Sequence, residues 1–157
     1  MKPKLYIETS IVSYLTSQPS RDIVTAARQQ ITRDWWQTKR NGFDLYVSEF
    51  VLGEAGSGDS QVASLRMAAL NGIPEIALTE GASLLARDLV ERGPLPRKAA
   101  IDASHIAVAV SGGVEYLLTW NFKHLANAAM RSTIERICRL HGYEPCVICT
   151  PEELLEE

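Results

Sequence analysis

The amino-acid sequence predicts an α/β domain: a parallel sheet of about five short strands covered by helices on both faces. Three observations lead there. Five short strand-forming runs alternate with segments of helical length and periodicity, so consecutive strands need crossover connections and a parallel sheet. Cap and stop residues punctuate most junctions. The 157 residues, 46% of them apolar (AVILMFWYC), suffice for one core without disulfide staples, and residues 1–157 read as a single domain.

The elements follow in order. Lys4 to Glu8 (KLYIE) is a strand-forming run broken by Thr9 and Ser10, after which Ile11, Val12, Tyr14 and Leu15 resume at helical spacing, which predicts strand, cap and helix. Asp22 to Arg40 carries Ile23, Ala26, Ala27, Ile31, Trp35 and Trp36 at steps of three and four and stops at Asn41-Gly42, as a long amphipathic helix does. Leu45 to Val47 is the second strand, and Ser48 caps a helix from Glu49 to Ala55. Asp59 or Ser60 starts another, which runs to Leu70. Ile76 to Leu78 is the third strand, followed by a helix from Glu80 to Arg92 capped by Thr79. The Ala-rich stretch from Lys98 to Val110 is helical and ends at Gly112-Gly113. Tyr116 to Trp120 is the fourth strand, Phe122 to Leu140 is mostly helical, and Cys146 to Thr150 is the fifth strand.

Charge and cysteine content narrow the class. With 16 Lys+Arg against 19 Asp+Glu the formal net charge is -3, so bulk charge gives no support to a nucleic-acid partner and the chain is no polyelectrolyte. Three cysteines do not make a disulfide framework, which favours a reducing compartment. The start, MKPKLYIE, lacks an apolar signal segment, and no run of about 18 apolar residues occurs. The expectation is a soluble, cytoplasmic protein without a membrane partner.

In parallel sheets ligands bind beyond the carboxyl ends of the strands, and four polar residues fall there. Glu8 ends the first strand, Glu54 lies two turns into the helix after the second, Asp102 sits in the first turns of the Ala-rich helix, and Asn121 follows the fourth strand. Each alone has an ordinary reading: a solvated helix position for Glu54, a favourable helix-dipole charge for Asp102, a turn residue for Asn121. Together they point to chemistry. Carboxylates gathered in one cleft repel by about 3 kcal/mol per pair at ~5 Å and an effective dielectric near 20. A hard cation such as Mg2+ or Mn2+ converts that repulsion into ligation, and phosphodiester hydrolysis uses such an ion for water activation and charge stabilisation.

The pieces LYIETSIVSYL, VSEFVLGEA, AAIDASHIAVA and YLLTWNFKHL, in this order, with the closing CTPEELLEE, resemble the PIN-domain nucleases and in particular VapC-type toxins, over Leu5 to about Glu153. The resemblance implies an acidic quartet that binds one or two Mg2+ or Mn2+ ions and cleaves RNA, a small antitoxin partner, and a homodimer. It places Glu8, Glu54, Asp102 and Asn121 at the four positions in turn, with Glu8, Glu54 and Asp102 as metal ligands, and Thr9, Ser10 and Thr119 as supporting hydroxyls. Two positions depart from the pattern. Glu8 stands where Asp is usual, and Asn121 is neutral where a fourth carboxylate is usual. The site carries one charge fewer, which leaves a catalytically silent PIN-like module that binds RNA or a protein as the alternative.

Other residues carry lesser signals. Cys138, His141, Cys146 and Cys149 fit a Cys3His zinc spacing, but residues three apart on a strand face opposite ways. His105 is expected in the core and Trp120 either there or stacked on a base. Arg97, Lys98, Lys123 and His124, with Lys39 and Arg40, could rim the acidic pocket and hold a phosphate backbone; ordinary solvated surface is the competing reading. Asp59 is expected as a helix cap. A phosphatase with acidic strand ends would need a nucleophilic Asp where Glu8 stands.

Overall fold

The structure, a computed structural model, describes residues 1–155; Glu156 and Glu157, the last of the expected single domain, lie outside the described residues. Four strands, β1 (Lys4–Ile7), β2 (Asp44–Tyr46), β3 (Tyr116–Leu118) and β4 (Val147–Cys149), form one sheet in the order β2-β1-β3-β4. All three pairings are parallel. Seven α-helices connect them: α1 (Thr9–Thr16) and α2 (Ile23–Thr38) between β1 and β2; α3 (Glu49–Ala55), α4 (Ser60–Leu70), α5 (Glu80–Glu91) and α6 (Ala100–Ser111) before β3; and α7 (Ala128–Leu140) before β4. Successive β1 residues point to opposite faces, and Leu5, Tyr6 and Ile7 are all fully buried. Helices therefore cover both faces, as a parallel sheet requires.

Local chemistry sets most boundaries. Asp22, Ser48, Asp59 and Thr79 each cap a helix by accepting a backbone N–H, which satisfies donors that the first turn cannot pair. After α6 the chain turns at Gly113, whose φ of 71° an L side chain seldom adopts. Because β1 is central and its neighbours are reached by separate crossovers on either side, the chain reverses direction across the sheet between β1 and β3. The carboxyl ends of these two strands flank the crevice where such folds bind ligands.

Two elements differ from expectation. Ile76–Leu78 does not form a strand: only a single parallel bridge, Val47 to Glu75, continues the sheet beyond β2. Pro74 offers its carbonyl to Val47 but has no N–H to extend the ladder, and Ala77 and Leu78 are exposed. The sheet has four strands rather than five. The expected helix from Phe122 also starts later, at Ala128, because Asn121 and Asn127 each draw a backbone N–H onto a side-chain oxygen and hold the intervening residues in turns.

Candidate metal centre

Glu8 ends β1 and caps α1, and only 5% of its surface is exposed. Its Oε1 accepts from Thr119 Oγ1 at 2.6 Å and from Ser10 Oγ at 2.5 Å, and its Oε2 accepts from Ser10 N at 3.2 Å. Thr119 follows β3, so this carboxylate bridges the ends of the two central strands. Ser10 Oγ also accepts from Trp120 N, and Thr119 Oγ1 from Asn121 N. The backbone leaving β3 is thereby tied to the start of α1.

Glu54 comes from α3 on the other side. Its side chain is 42% exposed, and its Oε1 receives Thr9 Oγ1 at 2.6 Å and His105 Nε2 at 2.7 Å. Burial acts to raise this carboxyl, but the hydrogen bonds from His105 and Thr9 outweigh it and hold the group below the ordinary carboxylate range. His105, on α6, is fully buried; its Nδ1 meets Tyr6 Oη at 2.7 Å, and Tyr6 Oη meets Ser48 Oγ at 2.6 Å. Burial pushes the Tyr6 phenol far upward, so it keeps its proton. The Glu54 carboxylate only accepts, so His105 carries a hydrogen on Nε2. With Ser48 donating to Tyr6 and Tyr6 to His105 Nδ1, every group in this buried file is satisfied once.

One ligand atom each from Glu8, Glu54 and His105 lies within 4.8 Å of the others, the one such group of His, Cys, Asp and Glu among the described residues. Two carboxylates with ligand atoms within 4.8 Å of each other, each committing Oε1 to hydroxyl or imidazole donors, make a donor set suited to a divalent ion. Oxygen donors suit Mg2+ and Mn2+, whereas both ring nitrogens of His105 are taken, by Glu54 and by Tyr6.

The other expected residues form a second group. Asp102 is not part of the three-residue set; its Oδ2 lies 3.0 Å from His124 Nδ1, with both side chains mostly covered. His124 N donates to Asn121 Oδ1 at 3.0 Å, so the Asn121 amide oxygen closes the turn that presents His124 to Asp102. Arg97 and Lys98 are exposed in the 3-10 turn Arg97–Ala99 just ahead of α6, and Lys123 is exposed beside His124. Arg40 lies elsewhere: it stacks on Trp36 and shares a pocket with Lys2 near the amino end of β2, away from the site.

The remaining candidates take structural roles. His105 is in the core as expected, but it also reaches Glu54. Trp120 is 5% exposed and donates its indole N–H to Thr32 Oγ1 at 2.7 Å. Asp59 caps α4. The zinc spacing does not become a cluster: Cys138, Cys146 and Cys149 are buried free thiols, His141 Nε2 binds Asp88 Oδ2 at 2.7 Å, and no cysteine joins a metal-ligating group among the described residues. Burial pushes the three thiols up, to about 11 for Cys138 and about 12 for Cys146 and Cys149. Sequence reasoning missed Tyr6 and the hydroxyl role of Ser48 beyond its cap. A tyrosine in the middle of a central strand was the available signal, because a buried phenol needs a polar partner.

Among the described residues, a four-stranded parallel sheet flanked by seven helices, with Glu8 at the end of β1 and Glu54 and Asp102 on helices beside it, defines an α/β domain. Among solved structures, VapC20 from Mycobacterium tuberculosis, described as a sarcin-ricin loop cleaving toxin, is similar to this chain with a TM-score of 0.58, covering 77% of this chain and 92% of that one at 18% sequence identity. The chain shares the fold of that structure, in keeping with the expected PIN-like fold. No protein-family model and no curated protein matches the chain.

Proposed function

We propose that the protein is a divalent-metal-dependent endoribonuclease that hydrolyses RNA phosphodiester bonds, and that it is the toxin of a type II toxin-antitoxin pair. One observation carries the reading: Glu8, Glu54 and His105 converge at the crevice between the carboxyl ends of the central strands, in a fold shared with an RNA-cleaving toxin. Glu8 and Glu54 hold the ion, with Asp102 completing the acidic set from α6. Bound Mg2+ or Mn2+ supplies Lewis acidity at the phosphate and lowers the pKa of water. Thr9, Ser10, Thr119 and His105 orient the two carboxylates through the bonds described above. His124, held by Asn121, orients Asp102 in the same manner. Arg97, Lys98 and Lys123 line the approach of the RNA backbone. The partner is a small antitoxin protein, the functional form a homodimer and the setting the cytoplasm; no helix among the described residues is long and apolar enough to cross a membrane.

The test incubates purified protein with a mixed RNA pool in Mn2+ or in EDTA, beside Glu8→Gln and Asp102→Asn. Cleavage in Mn2+ alone, lost in Glu8→Gln and reduced in Asp102→Asn, is the expected result. Equal cleavage in EDTA or by Glu8→Gln would overturn it. RNA bound in Mn2+ but left intact would establish the silent binding module instead.

A further inference from the structure

The segment leaving β3 carries an aromatic and cationic surface that the metal centre does not use. Phe122 directly follows Asn121 and is 43% exposed, although its neighbour Trp120 is almost fully buried. The Arg28 guanidinium, from α2, lies 4.8 Å from the centre of the Phe122 ring and 5.7 Å from that of Trp120. Trp120 is pinned in turn: its N–H is bound to Thr32, Tyr14 packs edge-on at 6.1 Å, and Phe122 leans on it at 6.2 Å. Arg28 makes no salt bridge among the described residues; its charge acts at longer range on Asp22, while its guanidinium rests against the two aromatic faces. An exposed phenylalanine alone needs no explanation. A planar cation over that ring, on a rigid indole base and next to an acidic cleft, is a different arrangement. Phe122 is three residues from Thr119, whose hydroxyl binds Glu8, and three residues of chain reach no more than about 11 Å.

We propose that Phe122 and Arg28 form a stacking platform for one unpaired base of the RNA, which seats a single-stranded segment beside the carboxylates. The inference rests on the reading of the substrate as RNA and adds which surface beside the carboxylates holds an unpaired base. Bases in a duplex already stack on each other and cannot lie on a side chain, whereas an unstacked base gains contact with an aromatic ring and a guanidinium plane. The cation also meets the phosphate next to that base, which a neutral ring cannot do. An acidic protein thereby gains a local foothold for a polyanion.

The test measures binding without cleavage, in EDTA, by anisotropy of a short labelled oligoribonucleotide and by the fluorescence of a 2-aminopurine placed in it. Single-stranded oligonucleotide should bind at least tenfold more tightly than the same sequence annealed to its complement, with the 2-aminopurine emission quenched on binding. Phe122→Ala should weaken single-strand binding about tenfold and remove the quench, within the range of one base–aromatic stack, while Phe122→Trp keeps both. Arg28→Ala should weaken binding and reduce the slope against log salt by about one. The Mn2+-induced rise in melting temperature should be the same in Phe122→Ala as in wild type, which shows that the fold and metal centre are intact. Unchanged binding by Phe122→Ala, or duplex bound as tightly as single strand, would overturn the platform. Stacking retained with no cleavage under any ion would instead remove the nuclease reading and leave the platform standing.

Discussion

The two halves of the strand-end cleft satisfy their carboxylates in opposite ways. On one side Glu8 and Glu54 approach each other, and their partners among the described residues are hydroxyls, a backbone N–H and an imidazole nitrogen fixed by Tyr6. On the other side Asp102 has its own imidazole, His124, and stands outside the set formed by Glu8, Glu54 and His105. Both sides hold their acids rigidly, and the first brings two carboxylates within 4.8 Å of each other. Rigid positioning and charge compensation are therefore separable, and binding of an ion should couple mainly to the first side.

The strongest way to break this contrast is to add the ion. Mn2+ at 100 times its Kd should stabilise the protein by about 2.7 kcal/mol, a rise in Tm of roughly 5–10 °C for a domain of this size. Glu54→Gln should remove that rise; a thermal scan of both forms with and without Mn2+ checks this. A wild-type curve unmoved by millimolar ion would dissolve the distinction.

The support beneath Glu54 is tested by Tyr6→Phe. It leaves His105 Nδ1 and Ser48 Oγ without their buried partner, so the apo protein should lose about 1–2 kcal/mol, read from urea unfolding. A neutral outcome would mean that the buried file does not fix Glu54.

A smaller effect is expected on the other side. Asp102→Asn keeps a hydrogen-bonding group beside His124 and should lower Mn2+ affinity about fivefold, or ~1 kcal/mol, measured calorimetrically. A loss as complete as that of Glu54→Gln would make the two halves one site.

The smallest effect is in acid. Because the folded Glu54 carboxyl is held below its ordinary value, its stabilisation is present in full above the usual carboxylate pKa and is lost as pH falls through the lower folded value. In metal-free buffer, the Tm of wild type should therefore fall slightly more than that of Glu54→Gln between pH 5 and pH 3. Parallel curves would show that His105 and Thr9 do not favour the ionised form.

Much of this was legible in the sequence because it is local. Caps at Ser48, Asp59 and Thr79 could be read from residue type and the periodicity that follows. The acids at Glu8, Glu54 and Asp102 could be placed because strand ends and helix starts in a parallel sheet fall on one side. What resisted was non-local. Ile76–Leu78 has strand-forming residues, but its position beyond β2 and the missing N–H of Pro74 limit it to one bridge. Asn121 reads as a fourth ligand or as a turn residue until its oxygen is seen on His124 N. The pairing of His105 with Glu54 joins positions 51 residues apart, and helical spacing within α6 records only that His105 faces inward.

The three thiols close under α7 and β4 have a kinetic consequence. With pKa values pushed to about 11 or 12, almost none is thiolate at neutral pH, and thiolate is the form that alkylating reagents and peroxide attack. Reaction must wait until the packing around them opens, so the rate of modification becomes a clock for the molecule's excursions from its folded state. Cys138 and Cys149 sit on different elements, and comparing their labelling rates would tell whether the last helix and the last strand come away together or one before the other.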